Sequence, residues 1–277
     1  MKKIIALLLC TALLLPLLGC GGTKAGSGSN DLWAEGSPET SAMFLYSYDK
    51  DGGRARITFN QKDEHAILDR LSAVKATPVT DWNPTKVKLP VYGIEIGTMD
   101  GTGIVAAWSN GYLIMRDGSV YKFDFDFSAL GTDYQWEPSH DIYSLSAMPC
   151  GRLLSEGPDG WIAPHLAPVD PLTPPKGISM VLKEQTKDTL TVELTNSSSA
   201  EWCYGEYFSL NVHLNGVWYD VPVLDDKNYA FTDIGILLFA GESHEKTYSL
   251  SMFGDLPEGR YRLVVFGLSA EFTIPQA

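Results

Sequence analysis

Cysteine is scarce in this 277-residue chain, which has four: Cys10, Cys20, Cys150 and Cys203. No C-x-x-C pair and no H-x-x-x-H spacing occurs, so the pattern builds no zinc site. Cations are scarce as well. Lys and Arg number 21 against 34 Asp and Glu, a formal charge of −13, which excludes a nucleic-acid partner and a polybasic membrane patch. The histidines (His65, His140, His165, His213 and His244) stand singly. With no G-x-S-x-G present, a Ser-His-Asp site has no recognisable frame. Cys150 beside His140 or His165 lacks a motif or helix start to activate the thiol. Long apolar runs are absent too: the stretch Ile4 to Leu18 holds about 15 residues and is broken by Pro16, short of the roughly 20 that a membrane span needs.

What the chain does have is 7 Trp, 13 Tyr and 11 Phe within a hydrophobic share of 44%, enough for real cores. Its start is a second clear feature. Lys2 and Lys3, the apolar run and the small Gly19 are the parts of a secretory signal. Leu17-Leu18-Gly19-Cys20 resembles the bacterial lipoprotein signal, with Leu18 the less usual occupant of its place. The resemblance implies cleavage between Gly19 and Cys20 and a diacylglyceryl group on the Cys20 sulfur. Loss of Lys2 and Lys3 deepens the negative charge, so attachment to the membrane would rest on the lipid, at about 0.8 kcal/mol per buried methylene.

Residues 1–19 therefore read as signal peptide and 20–41 as a tether, its Gly21 to Asn30 part rich in Gly and Ser. Residues 42–156 read as a small α+β domain. Strands are expected at Met43–Tyr48, Ala55–Phe59, Tyr92–Thr98, Ile104–Trp108, Tyr112–Met115 and Ser119–Phe125. The turn signals Asp49-Lys50-Asp51-Gly52-Gly53, Asp100-Gly101, Asn110-Gly111 and Asp117-Gly118 join them. Asn60 with an acid three positions on, then Ile67, Leu68, Leu71 and Val74 at helical spacing, predict the main helix over Gln61–Val74. Ser128–Tyr134 reads as a helical turn, and His140–Leu154 has no clear period. Residues 157–176 hold Pro158, Pro164, Pro168, Pro171, Pro174 and Pro175, which exclude a helix or central strand and predict a semi-stiff extended linker.

Residues 177–277 carry almost only strand signals, with clean alternation in Leu190-Val192-Leu194 and Leu210-Val212-Leu214 and a hairpin turn at Asn215-Gly216. Seven or more short strands predict an all-β sandwich. Leu256-Pro257-Glu258-Gly259-Arg260-Tyr261 resembles the tyrosine corner of immunoglobulin-like sandwiches. With Gly177-Ile178-Ser179-Met180-Val181-Leu182, Tyr204-Gly205-Glu206-Tyr207 and Val217-Trp218-Tyr219-Asp220-Val221-Pro222, it looks like a bacterial immunoglobulin-like domain of Firmicute lipoproteins and membrane-bound envelope proteins. That resemblance implies a binding or spacer module without catalytic residues. The first domain, through Asn110 to Ile114 and Asp117 to Lys122, is similar only to uncharacterised lipoproteins and brings no chemistry with it.

Asp124 and Asp126 are the sharpest acidic candidates. Alternation sets both on one face, opposite Tyr121, Phe123, Phe125 and Phe127. The pair would suit calcium or glycosidase-like acid–base work; the plainer reading is a solvated face over an aromatic core. Trp136, Trp161 and Trp202 lie in polar stretches where a ring would stack on a ligand or close over a core. Trp108 and Trp218 read as core, and His213 as solvent-facing. Cys150 and Cys203 read as two separate thiols rather than a disulfide. The expected function is that of a lipid-anchored, extracytoplasmic, non-catalytic binding or sensor protein that meets an envelope protein or glycan and needs no cofactor or metal. The alternative is an envelope hydrolase using Asp124 and Asp126.

Overall fold

The computed structural model describes residues 32–33, 40–58, 61–98, 103–132, 136–224 and 231–276. Gly19, Cys20 and the Gly/Ser stretch fall outside the described residues. Among those described, strands dominate, and no helix is long and apolar enough to cross a membrane.

Strand β1 (Thr40–Asp49) turns into β2 (Gly52–Thr58), with Asp49 Oδ1 accepting from the Asp51 amide at 2.8 Å. Helix α1 (Gln61–Ser72) follows, then β3 (Ala76–Pro78), β4 (Val91–Thr98), β5 (Gly103–Ser109), β6 (Tyr112–Met115) and β7 (Val120–Phe123). A single turn α2 (Ala129–Thr132) and the short β8 (Glu137–Pro138) complete the set. Among the described residues these strands form one antiparallel sheet in the order β3-β7-β6-β5-β4-β1-β2-β8. The main helix and the meander lie where the sequence puts them, while β3 and β8 are too short to have shown a pattern.

Both faces of this sheet are covered. On one, α1 lays Ile67, Leu68 and Leu71 over Met43, Leu45, Ile94, Leu113 and Phe123. On the other, Ile142, Leu145, Met148 and Leu154 cover Val91, Ala107 and Ile114. Two-sided burial explains the adjacent apolar pairs Ala106-Ala107 and Leu113-Ile114, whose members face opposite layers. The second cover includes helix α3 (Gly151–Ser155) and lies so close that a side chain at Gly53 or Gly93 would meet it. A Cβ on Gly53 would sit 2.1 Å from the Ile142 carbonyl oxygen, and one on Gly93 2.7 Å from the Pro149 ring. The folded body also reaches into the stretch expected to be tether, because Trp33 is buried with its ring 6.0 Å from Phe123.

After α3, a small hairpin of β9 (Glu156–Gly157) and β10 (Gly160–Trp161) leads into the proline-rich segment. The second half then builds β11 (Ile178–Gln185), β12 (Thr189–Asn196), β13 (Trp202–Tyr204), β14 (Ser209–Leu214) and β15 (Val217–Asp220). β16 (Ile236–Leu238), β17 (Ser243–Ser249), β18 (Gly259–Val265) and β19 (Leu268–Ile274) follow. One sheet runs β11-β12-β17, the other β15-β14-β18-β19, with β13 and β16 paired as a ribbon. Leu190, Val192 and Leu194 face Leu210, Val212, Tyr261 and Leu263 across one core. Each such buried side chain contributes roughly 1.5–3 kcal/mol. Tyr261 is fully buried and donates from its phenol to the Pro257 carbonyl at 2.7 Å, which is the expected corner.

The outer face of the second sheet corrects one expectation. Trp218 is not in the sandwich core but on this outer face, with the Arg262 guanidinium 4.4 Å from its ring and the His213 ring at 4.9 Å. Arg262 Nε donates to Asn211 Oδ1 at 3.0 Å, and Asn211 Nδ2 donates to Asp220 Oδ1 at 3.2 Å. The proline-rich segment runs along this strand row rather than away from it. Val169 donates its amide to Trp218, and Asp220 donates its amide to Ala167, while Leu166 enters the sandwich core. An edge position of this kind tolerates proline because only some backbone groups need partners.

Candidate functional site

Asp124 and Asp126 are both exposed, and Phe123, Phe125 and Phe127 are buried on the opposite side. The alternation persists although the strand ends at Phe123. Asp126 Oδ1 accepts from the Ser128 amide at 3.0 Å and from the Ser128 hydroxyl at 2.5 Å. The hydroxyl bond is the main cause holding its carboxyl below the usual carboxylate range. A carboxyl in that state is a poor proton donor, and its oxygen already closes a local turn.

The three candidate tryptophans all have a packed face. Trp136 lies on the α1-side core, and Trp202 stacks on Tyr204 with centroids 5.0 Å apart. Trp161 sits where the two halves meet. Its indole nitrogen donates to the Tyr261 phenol at 2.9 Å, and the Arg152 guanidinium lies 4.9 Å from its ring. Arg152 in turn donates through Nε to Glu156 at 2.7 Å and through Nη2 to the Asp255 carbonyl. One tyrosine phenol thus donates to its own corner and accepts from the preceding segment, and one arginine joins α3 to the loop before β18. These bonds clasp the halves together.

Beside this clasp a cleft of about 520 Å³ opens between the halves. Tyr46, Glu95, Asp141 and Tyr143 line one side and Asp220 to Val223 the other, with no Lys, Arg or His among its described lining. Tyr46 donates to Glu95 Oε2 at 3.0 Å. Burial first, then the Glu95 charge, pushes the Tyr46 phenol up. Burial pushes the Asp220 carboxyl up to about 6, opposed by the bonds from Asn211 and the Val221 backbone. The Asp220 charge adds to burial in raising the phenols of Tyr143 and Tyr207, two tyrosines each 58% exposed. This cleft is rich in hydrogen-bond acceptors and aromatic edges, and it suits a donor-rich partner.

Sequence reading named Tyr207 and Asp220 only within the segments resembling an Ig-like domain, and picked out none of Asp220, Tyr143, Tyr207, Glu95 or Arg152 as a site residue. An acidic residue ending a strand at Trp218-Tyr219-Asp220 is a faint signal at most. Cys150 is buried with its thiol 3.5 Å from the Ile114 carbonyl, whereas Cys203 is exposed; the two are free thiols. Among the described residues no group of His, Cys, Asp and Glu is placed to hold a metal ion. Residues 176–273 match the family model of a bacterial Ig-like domain, the region where the sequence resemblance lies. No curated protein matches the chain.

Proposed function

We propose that this is a lipid-anchored binding protein of the bacterial cell envelope, of the Firmicute lipoprotein type, in which an α+β domain stands before an immunoglobulin-like sandwich. Cys20 carries the lipid on the extracytoplasmic face, and the protein acts by contact rather than by catalysis. The observation that carries this reading is the match of residues 176–273 to a bacterial Ig-like domain, because such sandwiches present loops and edges on a closed core. The turn-bound, low-pKa carboxyl of Asp126 favours binding over the hydrolase alternative. The partner, an envelope protein or glycan, meets the acceptor-rich cleft lined by Tyr143, and exposed Tyr207, on which the Asp220 charge also acts, extends the contact surface.

The test is site-specific photocrosslinking in intact cells, with the reactive amino acid placed at Tyr143, at Tyr207 or at the exposed control Val181 on β11. Discrete crosslinked species are expected from the first two positions and not from the control. No crosslink at either tyrosine, or one pattern common to all three positions, would overturn the assignment of this cleft.

A further inference from the structure

The floor of the cleft between the halves is set by the register of three strands. Phe44 lies opposite Glu95, and Tyr46 opposite Ala55, so these four share one face of the sheet. The Phe44 and Tyr46 rings are stacked there with centroids 6.5 Å apart. The basic residues of β2, Arg54 and Arg56, alternate with Gly53 and Ala55 and face the other side.

Three carboxylates meet this floor from separate elements: Glu95 on β4, Asp141 in the segment before α3 and Asp220 at the end of β15. Each keeps accessible surface, Asp141 being exposed and Glu95 and Asp220 half-buried. The Asp141 carboxylate has no hydrogen-bond or ion-pair partner among the described residues. Glu95 accepts from the Tyr46 phenol, and Asp220 from Asn211; neither partner is charged. Glu95 and Asp141 both act on the Tyr46 phenol, and Asp220 acts on that of Tyr143. The guanidinium nearest in this bond network, Arg262, stops at Asn211 with the Trp218 ring against it.

Three acids with no cation in the described lining hold a negative potential in a partly desolvated opening. A neutral glycan brings hydroxyls, which donate and accept alike and set no charge against it. A primary ammonium brings three donors, no acceptor and a positive charge. It is a compact point that acids on different elements share, whereas a guanidinium fork pairs with one carboxylate. The accessible walls at Tyr143, Pro222 and Val223 suit a methylene stem, and aromatic ring faces attract a cation.

We propose that the occupant of this cleft is a lysine side chain of a partner protein, its ammonium among Glu95, Asp141 and Asp220 and its stem against Tyr143, Pro222 and Val223. The proposal rests on the reading of the cleft as the contact site, and it narrows the two partner classes named there to a protein.

The test uses the detergent-solubilised full chain and three probes. These are N-acetyl-Gly-Lys-Gly-amide, its norleucine counterpart, which keeps the stem and lacks the charge, and the trisaccharide of N-acetylglucosamine. Binding is read at about pH 8, where Asp220 is ionised, from the ring signals of Tyr46 and Tyr143 by NMR. The lysine peptide is expected to shift both signals and to bind about tenfold or more tighter than the norleucine peptide. Asp141→Asn and Glu95→Gln, each checked for an unchanged unfolding midpoint, are expected to weaken it about threefold or more. Glu193→Gln removes the same charge from the outer face of β12 and is expected to leave binding within about twofold. Equal binding of the lysine and norleucine peptides would overturn the proposal. So would equal weakening by Glu193→Gln, undiminished binding in both cleft variants, or no shift at about 20 mM lysine peptide. Shifts with the trisaccharide alone would also overturn it while keeping the cleft as a contact site, a reading that the Tyr143 crosslinks judge separately.

Discussion

Burial at the junction lifts the Asp220 carboxyl from the ordinary aspartate range to a pKa of about 6. The folded state therefore holds this proton over a pH range in which the unfolded chain has released it. Stability from this group is greatest below the unfolded value, falls as pH rises from about 4 to about 6, and stays low above that, a loss of about 3 kcal/mol in all. Asp220→Asn removes the titration while keeping an oxygen for Asn211. Urea unfolding at pH 7 is expected to show the variant more stable by about 1–3 kcal/mol. Near pH 4 the difference should vanish, and subtracting the two curves cancels groups of opposite sign such as Asp126. A charge kept at a cost in stability, and felt by two exposed tyrosines, has the character of a contact residue.

At the level of elements, the proline-rich segment is a working part of the second half. Leu166 is 4% exposed inside the sandwich core, and the following residues bond to Trp218 and Asp220. Leu166→Ala is expected to lower stability by about 2–5 kcal/mol, read as a shift in denaturant midpoint. A value near zero would mean that the segment is only a spacer. The sequence reveals those elements whose own pattern is enough. Leu190-Val192-Leu194, the Asn215-Gly216 turn and the Tyr261 corner each carry their signal within a few residues. The cover over residues 142–154 carries none, because Ile142, Leu145, Met148 and Leu154 follow no period and are organised by the sheet beneath them. The edge role of residues 167–169 was hidden by proline content that reads as a linker. β13 and β16, three residues each, are too short for alternation to show. The cleft residues come from β1, β2, β4, the loop before α3 and the end of β15 with the residues after it, and only the folded register brings Glu95 and Asp220 to one opening. The site was therefore much less legible than the fold.

For the whole molecule, Arg152, Trp161 and Tyr261 join two cores that would otherwise be separate units. Trp161→Ala removes the indole–phenol bond, the guanidinium–ring contact and part of the packing on the sandwich. Scanning calorimetry is expected to show one transition for the native chain and two for the variant. Two transitions in both would mean that the halves are independent despite the clasp. On the lipid tether proposed at Cys20, the clasped body would hold the Tyr143 cleft near the membrane, and a tethered binder gains from the raised local concentration of its partner. The anchor is thus central to the account, and Cys20→Ala tests it most directly. In cells fed labelled palmitate, the native chain should be labelled, shortened by the leader and found with the membranes. The variant should be unlabelled and keep its leader. Label and cleavage persisting without Cys20, or a native chain that is never labelled, would contradict the account.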